Sequence, residues 1–201
     1  MVQVALFDLG GVIVDLSGLD QFLTRHGLDT DEFMPRWLGL GAGNDFESGT
    51  TSADEFAGAF LDEFALSLSR DQFLTEFAQW PSGLLPGASE LVDDLDVVTA
   101  TLSNTNPIHW NSDFTQRVLI EMFDRHFPSF ELGLAKPSVE VFERTVQLLD
   151  VEPGEVAFVD DNEINVEAAQ RAGLVAFHAR GPREARAALA TLPSLCEGLA
   201  G

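Results

Sequence analysis

The sequence predicts a three-layer α/β/α protein, with a parallel sheet between two layers of helices and an α-helical block inserted after the first strand. Short apolar runs at 4–7, 97–102, 156–159 and 174–177 do not alternate in polarity, which is typical of strands buried on both faces. Helical patterns separate the later runs, and strands that alternate with helices favour parallel pairing.

Two helices follow from the spacing of apolar residues in the second half of the chain. The stretch VEVFERTVQLL at 139–149 repeats apolar residues at helical intervals, and a second pattern covers 164–172. Gly173 comes directly after that second pattern, where a helix end favours a residue with positive φ. A further helix is predicted from residue 182 to residue 191.

The interval from 17 to 83 is helical in period, rich in phenylalanine and without a strand candidate. Ser52 with Glu55, and Ser69 with Gln72, fit the capping box at two helix starts. The stretch GLGAGNDFESGTTS at 39–52 is predicted to be a loop, and SGLLPG at 82–87 a turn that returns the chain to the sheet. We therefore expect an α/β core at 1–16 and 84–201 and a helical cap at 17–83.

The charge of the chain limits the classes of partner. The 201 residues carry a formal net charge of −22, which disfavours nucleic acid and anionic membrane because both need basic surface. Of the basic residues only Lys136 is a lysine, in the turn-like setting LGLAKPS, and the sequence therefore indicates a specific use for that ammonium. An anionic substrate would have to be drawn in locally, against the overall charge of the chain.

Targeting signals are not evident in the sequence. No apolar run approaches the ~20 residues that span a bilayer, and the N-terminus shows no basic and apolar leader pattern. The single cysteine, Cys196, cannot form a disulfide within the chain and is expected to have no role. A cytoplasmic location is the expectation, and the oligomeric state is left open.

Polar residues follow three of the predicted strands at the point where each strand ends. Asp8 follows the first, Ser-Asn-Thr-Asn at 103–106 follows the second, and Asp-Asp-Asn at 160–162 follows the third. In an open parallel sheet, ligands bind outside the carboxyl ends of the strands. The sequence therefore predicts one polar site at this edge of the sheet.

The motifs FDLGGVIVD, LSNTN, AKP and FVDDNEINVEAA, in this order and with a helical insert after the first, resemble those of the haloacid dehalogenase-like hydrolase superfamily. The closest resemblance is to the branch with a helical cap between the first and second motifs, which includes sugar-phosphate phosphatases. The resemblance covers essentially the whole chain. It implies a Rossmann-like sheet and a phosphatase of a small phosphorylated metabolite, with a sugar phosphate as one candidate.

The resemblance also implies a role for each motif residue. Asp8 would attack phosphorus and form an aspartyl-phosphate, since a carboxylate is ionised at neutral pH and needs no activating base. Asp8, Asp160 and Asp161 would bind Mg²⁺, with the backbone carbonyl of Gly10 as a further ligand. The remaining roles fall to Ser103 and Asn104, which would bind the phosphate, and to Lys136, which would bind it and neutralise charge in the transition state.

Gly10 departs from the pattern of the superfamily, whose phosphatases usually carry a general acid at this place. Such assistance is typically worth about 10²–10⁴ in rate. One interpretation is that the substrate has a good leaving group, such as a sugar 1-phosphate or an acyl phosphate. A second is that another residue supplies the proton. The candidates are Asp15, Asp45, His26 and His109, although His109 is expected at the surface.

Two other functions stay open at this point. The chain could bind a phosphorylated metabolite or a protein partner with little turnover, because fold does not determine function. It could also cleave carbon–halogen bonds with the same nucleophile, a reaction that needs neither a metal nor leaving-group protonation. The pair Asp160 and Asp161 disfavours that reaction, since without a cation both carboxylates repel Asp8.

Overall fold

Five parallel strands form the central sheet of the protein, whose computed structural model describes residues 1–193 and 195. In chain order the strands are β1 Val4–Phe7, β2 Val14–Asp15, β3 Gly83–Leu84, β4 Val98–Ser103, β5 Arg125–Pro128, β6 Val156–Asp160 and β7 Val175–His178. The sheet order is β5-β4-β1-β6-β7, with every neighbouring pair parallel. The predicted α/β class is confirmed, and the four predicted runs match β1, β4, β6 and β7 to within a residue at each end.

The α-helices of residues 1–193 either cover the two faces of this sheet or pack against one another. They are α1 Ser17–His26, α2 Thr30–Gly39, α3 Gly41–Glu47, α4 Ala53–Glu63, α5 Arg70–Phe77, α6 Ala88–Asp93, α7 Pro107–Trp110, α8 Ile120–Met122, α9 Ser129–Leu132, α10 Val139–Leu149, α11 Glu163–Arg171 and α12 Gly181–Leu189. Helices α6 and α12 pack on one face, and α10 and α11 on the other. In β1, Ala5 and Phe7 contact the first layer while Val4 and Leu6 contact the second, which is why the run does not alternate in polarity.

Helices α1 to α5 bury their apolar faces against one another around an aromatic cluster of their own. Phe60 lies inside this cluster with no exposed surface, and its ring centroid is 4.3 Å from that of Phe73. The two-stranded antiparallel pair β2–β3 joins the chain on either side of the helices, with Val14 opposite Leu84. We propose that these helices are the cap, with the division at 17 and 83 expected from the sequence.

Two elements differ from the expectation. Residues 39–52 were expected to form a loop, but α3 lies within them because Phe46 is buried and stacks on Phe56 at 4.7 Å. This burial outweighs the low helix propensity of the nearby glycines. Strand β5 lies at the sheet edge and was not predicted, since its sequence RHFP contains neither an apolar run nor alternation.

The remaining sequence expectations concern the C-terminal part. Gly173 has φ of 91° and follows α11, as predicted. Helix α12 ends at Leu189, two residues before the predicted end. Cys196 lies outside the residues that the structure describes. Within residues 1–193, no helix is both long and apolar enough to cross a bilayer.

Candidate active site

The carboxyl ends of three neighbouring strands bring the predicted residues to one edge of the sheet. β1 lies between β4 and β6, so Asp8, Ser103 and Asp160 end or follow adjacent strands. The backbone N–H of Asp8 donates to the carbonyl of Val159 at 2.9 Å, which continues the β1–β6 pairing to the first residue of the site. The convergence expected from strand order is present in the structure.

The ammonium of Lys136 lies between two of the carboxylates. Nζ is 2.7 Å from Oδ1 of Asp8 and 2.7 Å from Oδ2 of Asp160, and the Lys136 side chain is only 2% exposed. Burial opposes the charge on this amine, but the two carboxylates outweigh it and raise the pKa of Lys136. The ammonium is therefore held charged at the end of β1.

A cluster of three acids surrounds this contact. Asp8, Asp160 and Asp161 each offer a carboxylate oxygen, and these oxygens lie within 4.8 Å of one another. Burial raises the pKa of Asp8 to about 7; Lys136 opposes this shift, and the charges of Asp160 and Asp161 add to it. Burial and Asp160 also raise the pKa of Asp161. One ammonium does not balance the cluster, and an all-oxygen set of this kind fits a hard divalent cation.

Asp160 is oriented by a residue that no sequence motif indicates. Asn165, in α11, donates from Nδ2 to Oδ1 and Oδ2 of Asp160 at 3.1 and 3.0 Å. The backbone N–H of Asn162 donates to Oδ1 at 2.8 Å. The only sequence signal for Asn165 is its place in the first turn of the helix that follows the acidic pair.

The remaining motif residues lie around the same edge. Both polar groups of the Asn104 amide bind the backbone of Lys136. Among residues 1–193 and 195, the hydroxyl of Ser103 has a hydrogen bond only to the Asn104 carbonyl, at 3.4 Å. Glycine is required sterically at Gly11, where φ is 71° and an added Cβ would lie 2.6 Å from Oδ2 of Asp161. Gly10 has no such requirement, since a Cβ there would meet only the side chain of Leu16, at 3.1 Å.

A pocket of about 210 Å³ opens between the cap helices and this edge of the sheet. Gly10, Ser103 and Asn104 line its inner end, and Trp37, Trp80 and Trp110 form part of its walls. The pocket is also lined by Glu47, the last residue of α3, in the stretch 39–52 for which the sequence predicts a loop. The position of Glu47 follows from the folding of α3 against α9, a contact that no local sequence pattern reveals.

The four candidates for a substitute acid are occupied elsewhere or exposed. Asp15 accepts from the backbone and the hydroxyl of Ser17, at 2.8 and 3.1 Å, and His26 pairs with Glu76 at 2.9 Å. Asp45 is exposed.

His109 differs most from the expectation. It was expected at the surface, but it lies between cap and core, where Nε2 donates to the carbonyl of Phe77 at 2.7 Å and the ring stacks on Phe77 at 4.2 Å. Burial lowers the pKa of His109 to about 4, against the opposing effect of the Phe77 hydrogen bond. The imidazole is therefore neutral at pH 7 and has its N–H committed.

Comparison with known proteins agrees with this architecture. The family model described as haloacid dehalogenase-like hydrolase matches residues 2–173. A D-ribitol-5-phosphate phosphatase of Bacteroides thetaiotaomicron is 28% identical over 190 residues, which covers 88% of this chain and 91% of that protein. A sesquiterpene phosphatase of Aspergillus oryzae is 26% identical over 182 residues, covering 88% and 89%.

Solved structures show the same fold. A crystal structure of a HAD family enzyme from Bacteroides thetaiotaomicron superposes with a TM-score of 0.72 at 25% identity, covering 89% of this chain and 94% of that one. A crystal structure of that enzyme with magnesium and inorganic phosphate has a TM-score of 0.71 at 24% identity, covering 90% and 95%. An L-2-haloacid dehalogenase of Xanthobacter autotrophicus superposes with a TM-score of 0.68 at 20% identity, covering 97% and 84%.

Proposed function

The chain belongs to the haloacid dehalogenase-like hydrolase family, and from this premise we propose that it is a Mg²⁺-dependent phosphatase of a small phosphorylated metabolite. The observation that carries the proposal is the ammonium of Lys136, held 2.7 Å from both Asp8 and Asp160 beside a third acid. A phosphoryl dianion can enter this net negative chain only where cations offset its charge. Two relatives named as phosphatases, at 28% and 26% identity, support the same conclusion.

Asp8 is the nucleophile in this proposal. Lys136 contacts Asp8 through Oδ1, which leaves Oδ2 to attack phosphorus. The attack transfers the phosphoryl group to Asp8 and expels the alcohol, and water then attacks the aspartyl-phosphate and releases phosphate. Lys136 stays close to the reacting oxygens in both steps, and its ammonium stabilises the charge that gathers on the phosphoryl group.

Asp8, Asp160, Asp161 and the backbone carbonyl of Gly10 would hold Mg²⁺. The raised pKa values of Asp8 and Asp161 support this assignment, because they reflect acids gathered without enough positive charge. When bound, Mg²⁺ supplies the charge that offsets these carboxylates and the phosphate dianion. Asn165 fixes both oxygens of Asp160 for this purpose.

Ser103 and Asn104 have different roles at the phosphate site. The Ser103 hydroxyl has only a long contact in the structure and is free to donate to a phosphate oxygen. The Asn104 amide is committed on both sides to the backbone of Lys136. We therefore assign direct phosphate contact to Ser103 and Lys136, and assign to Asn104 the positioning of Lys136.

The relatives and the net charge of the chain bear on the identity of the substrate. The 28% identical relative is named for a polyol phosphate and the 26% identical relative is named a sesquiterpene phosphatase, so the relatives support both a polar and an apolar alcohol as candidates. The net charge of −22 favours a small metabolite over nucleic acid or an anionic membrane. A cytoplasmic location remains the prediction from the sequence.

The proposal is tested by phosphate release from p-nitrophenyl phosphate and a panel of sugar and alcohol phosphates. We expect turnover with Mg²⁺, loss of turnover in EDTA, and recovery when Mg²⁺ is restored. Asp8→Asn should lose at least about 10³ in kcat and keep its fold, since an amide cannot attack phosphorus. Asp93→Asn, at an exposed position, is the matched control and should leave kcat unchanged.

Other outcomes would identify the alternatives. Undiminished turnover in EDTA would contradict the metal assignment, and full activity of Asp8→Asn would contradict the nucleophile. Binding of phosphorylated metabolites without turnover, seen by calorimetry, would indicate a binding protein. Halide release from L-2-chloropropionate in EDTA would indicate a dehalogenase.

A further inference from the structure

The site contains no acid in the place of Gly10, yet a carboxyl group enters it from the cap. Glu47 lines the same pocket as Gly10, Ser103 and Thr105. Its side chain has no hydrogen bond or ion pair with any residue in the described part of the chain. A partly buried carboxyl group without a partner, in the pocket that Ser103 also lines, is free to exchange a proton with a ligand.

Glu47 is fixed to the core through its backbone. The hydroxyl of Ser129, at the start of α9, donates to the Glu47 carbonyl and accepts from the N–H of Thr105 at 2.9 Å. Thr105 belongs to the segment that follows β4. Gly49 also lies close to α9, since an added Cβ there would come within 2.7 Å of the Phe130 carbonyl. The end of α3 is therefore held against the segment that directly follows Ser103.

The charges of the site act on Glu47. Burial raises the pKa of Glu47 to about 7, Lys136 opposes this shift, and Asp8 adds to it. Lys136 and Asp8 thus interact electrostatically with Glu47 without a direct ion pair. A group that is half protonated near neutral pH can act as an acid in one step and as a base in the next.

We propose that Glu47 is the general acid and base that Gly10 cannot be, an inference that rests on the proposed phosphatase function. As an Asp8 oxygen bonds to phosphorus, the ester P–O bond breaks and its electron pair goes to the departing oxygen. The Glu47 carboxyl gives its proton to that oxygen, and a neutral alcohol leaves. The Glu47 carboxylate then takes a proton from the attacking water, whose oxygen bonds to phosphorus while the Asp8–phosphorus bond breaks.

The test compares esters that differ in leaving group. We expect Glu47→Gln to lower kcat/KM on benzyl phosphate by about 10²–10⁴, since an alkoxide leaves poorly without a proton. On 2,4-dinitrophenyl phosphate kcat/KM should fall less than about threefold, and dinitrophenolate should appear in a burst equal to the enzyme concentration, because the second step lacks its base. Glu47→Asp should recover part of the loss on benzyl phosphate.

The matched control is Asp45→Asn, which removes the same charge from the exposed side of α3 and should leave both rates unchanged. An equal loss of kcat/KM on both esters, or no loss on either, would overturn the role of Glu47 while the phosphatase function stands. Wild-type protein that cleaves neither ester would overturn both. A structural role for Glu47 would not distinguish the two esters.

The walls of the pocket carry a second inference, independent of Glu47. Its walls include the apolar side chains of Leu16, Leu19, Phe33 and Trp37. Two polar side chains of the wall already have hydrogen-bond partners: the Asn104 amide bonds to Lys136, and Nε2 of His109 bonds to Phe77.

The Nε1 of Trp80 has no hydrogen-bond partner among residues 1–193 and 195, but it is buried and presents no surface to a ligand in the pocket. A sugar placed in this pocket would leave several hydroxyl groups unpaired, which costs binding.

We infer that the preferred ester carries a largely apolar alcohol, a deeper form of the same proposed function. The test measures kcat/KM on phenethyl phosphate and on ribitol 5-phosphate. We expect a preference of about 10-fold or more for phenethyl phosphate, reduced by Trp37→Ala and unaffected by Leu38→Ala at an exposed site. A preference for ribitol 5-phosphate would overturn this inference alone, and turnover of neither ester would overturn the phosphatase function as well.

Discussion

Two hydrogen bonds join the side-chain amide of Asn104 to the backbone of Lys136, in the same pattern as the pairing of two neighbouring strands. The backbone N–H of Lys136 donates to Oδ1 of Asn104, and Nδ2 of Asn104 donates to the Lys136 carbonyl, both at 2.9 Å. The residue after β4 therefore sets the position of the loop that carries the ammonium. The contact joins two motifs that lie far apart in the sequence.

Removing this pair should affect both stability and catalysis. We expect Asn104→Ala to lower the free energy of unfolding by about 1–3 kcal/mol, since two hydrogen bonds of about 0.5–1.5 kcal/mol are lost. The value of kcat should fall about 10-fold or more because Lys136 is no longer held beside Asp8. Urea unfolding and steady-state kinetics measure these effects, and exposed Asn44→Ala should show neither. Unchanged kcat would show that Asn104 does not position Lys136.

Asn165 should determine metal affinity without being a ligand. Asn165→Ala removes both side-chain donors to Asp160 and should weaken Mg²⁺ activation about 10–100-fold, with near-normal kcat at saturating Mg²⁺. Activity measured against Mg²⁺ concentration gives both values. An unchanged half-saturating concentration would contradict this role.

An acid placed at residue 10 should replace Glu47. A Cβ at Gly10 would meet only Leu16, a 39% exposed side chain that can move, so Gly10→Asp should fold. In the Glu47→Gln background, Gly10→Asp should restore kcat/KM on benzyl phosphate by about 10-fold or more and change that on 2,4-dinitrophenyl phosphate little. Gly11→Asp is the contrast and should lower stability, because φ at Gly11 is 71° and a Cβ there would come within 2.6 Å of the Asp161 carboxylate. If Gly10→Asp raised kcat/KM equally on both esters, the gain would not come from protonation of the leaving group.

His109 should make stability depend on pH. Its pKa is about 4 in the folded protein against an ordinary value of 6.5, so below pH 6.5 the unfolded chain binds a proton that the folded protein does not. Stability should therefore fall as the pH decreases from about 6.5 to about 4.

In His109→Gln, which retains a donor for the Phe77 carbonyl, this fall in Tm should be smaller. Part of it should remain, because burial also lowers the pKa of His126. Thermal unfolding at pH 7 and pH 5 measures the difference, and parallel changes in variant and wild type would contradict the assignment.

The sequence predicted the sheet well because its buried strands are continuous apolar runs. It failed at β5, where edge position allows a strand such as RHFP, whose pairing with β4 comes from tertiary structure. It also failed at α3, where glycines favour a loop and burial of Phe46 decides for a helix.

The residues of the site also fall into two groups, those that the sequence predicts and those that it does not. Asp8, Ser103 and Asp160 were predictable because each ends or follows a strand, so one rule about strand ends places them together. Glu47 and Asn165 were not, since no motif or spacing distinguishes them and their positions depend on packing. The surface position expected for His109 was wrong because the sequence does not show that the cap covers α7.

The chain contains one lysine, and its ammonium lies buried between two carboxylates. A reagent that acylates amines therefore has one side-chain target in this protein, besides the α-amino group of Met1. The rate at which Lys136 is labelled should measure how often its contact with the two carboxylates opens, because acylation needs the free amine. Mass spectrometry could follow that opening directly, with and without phosphate, on the unaltered protein.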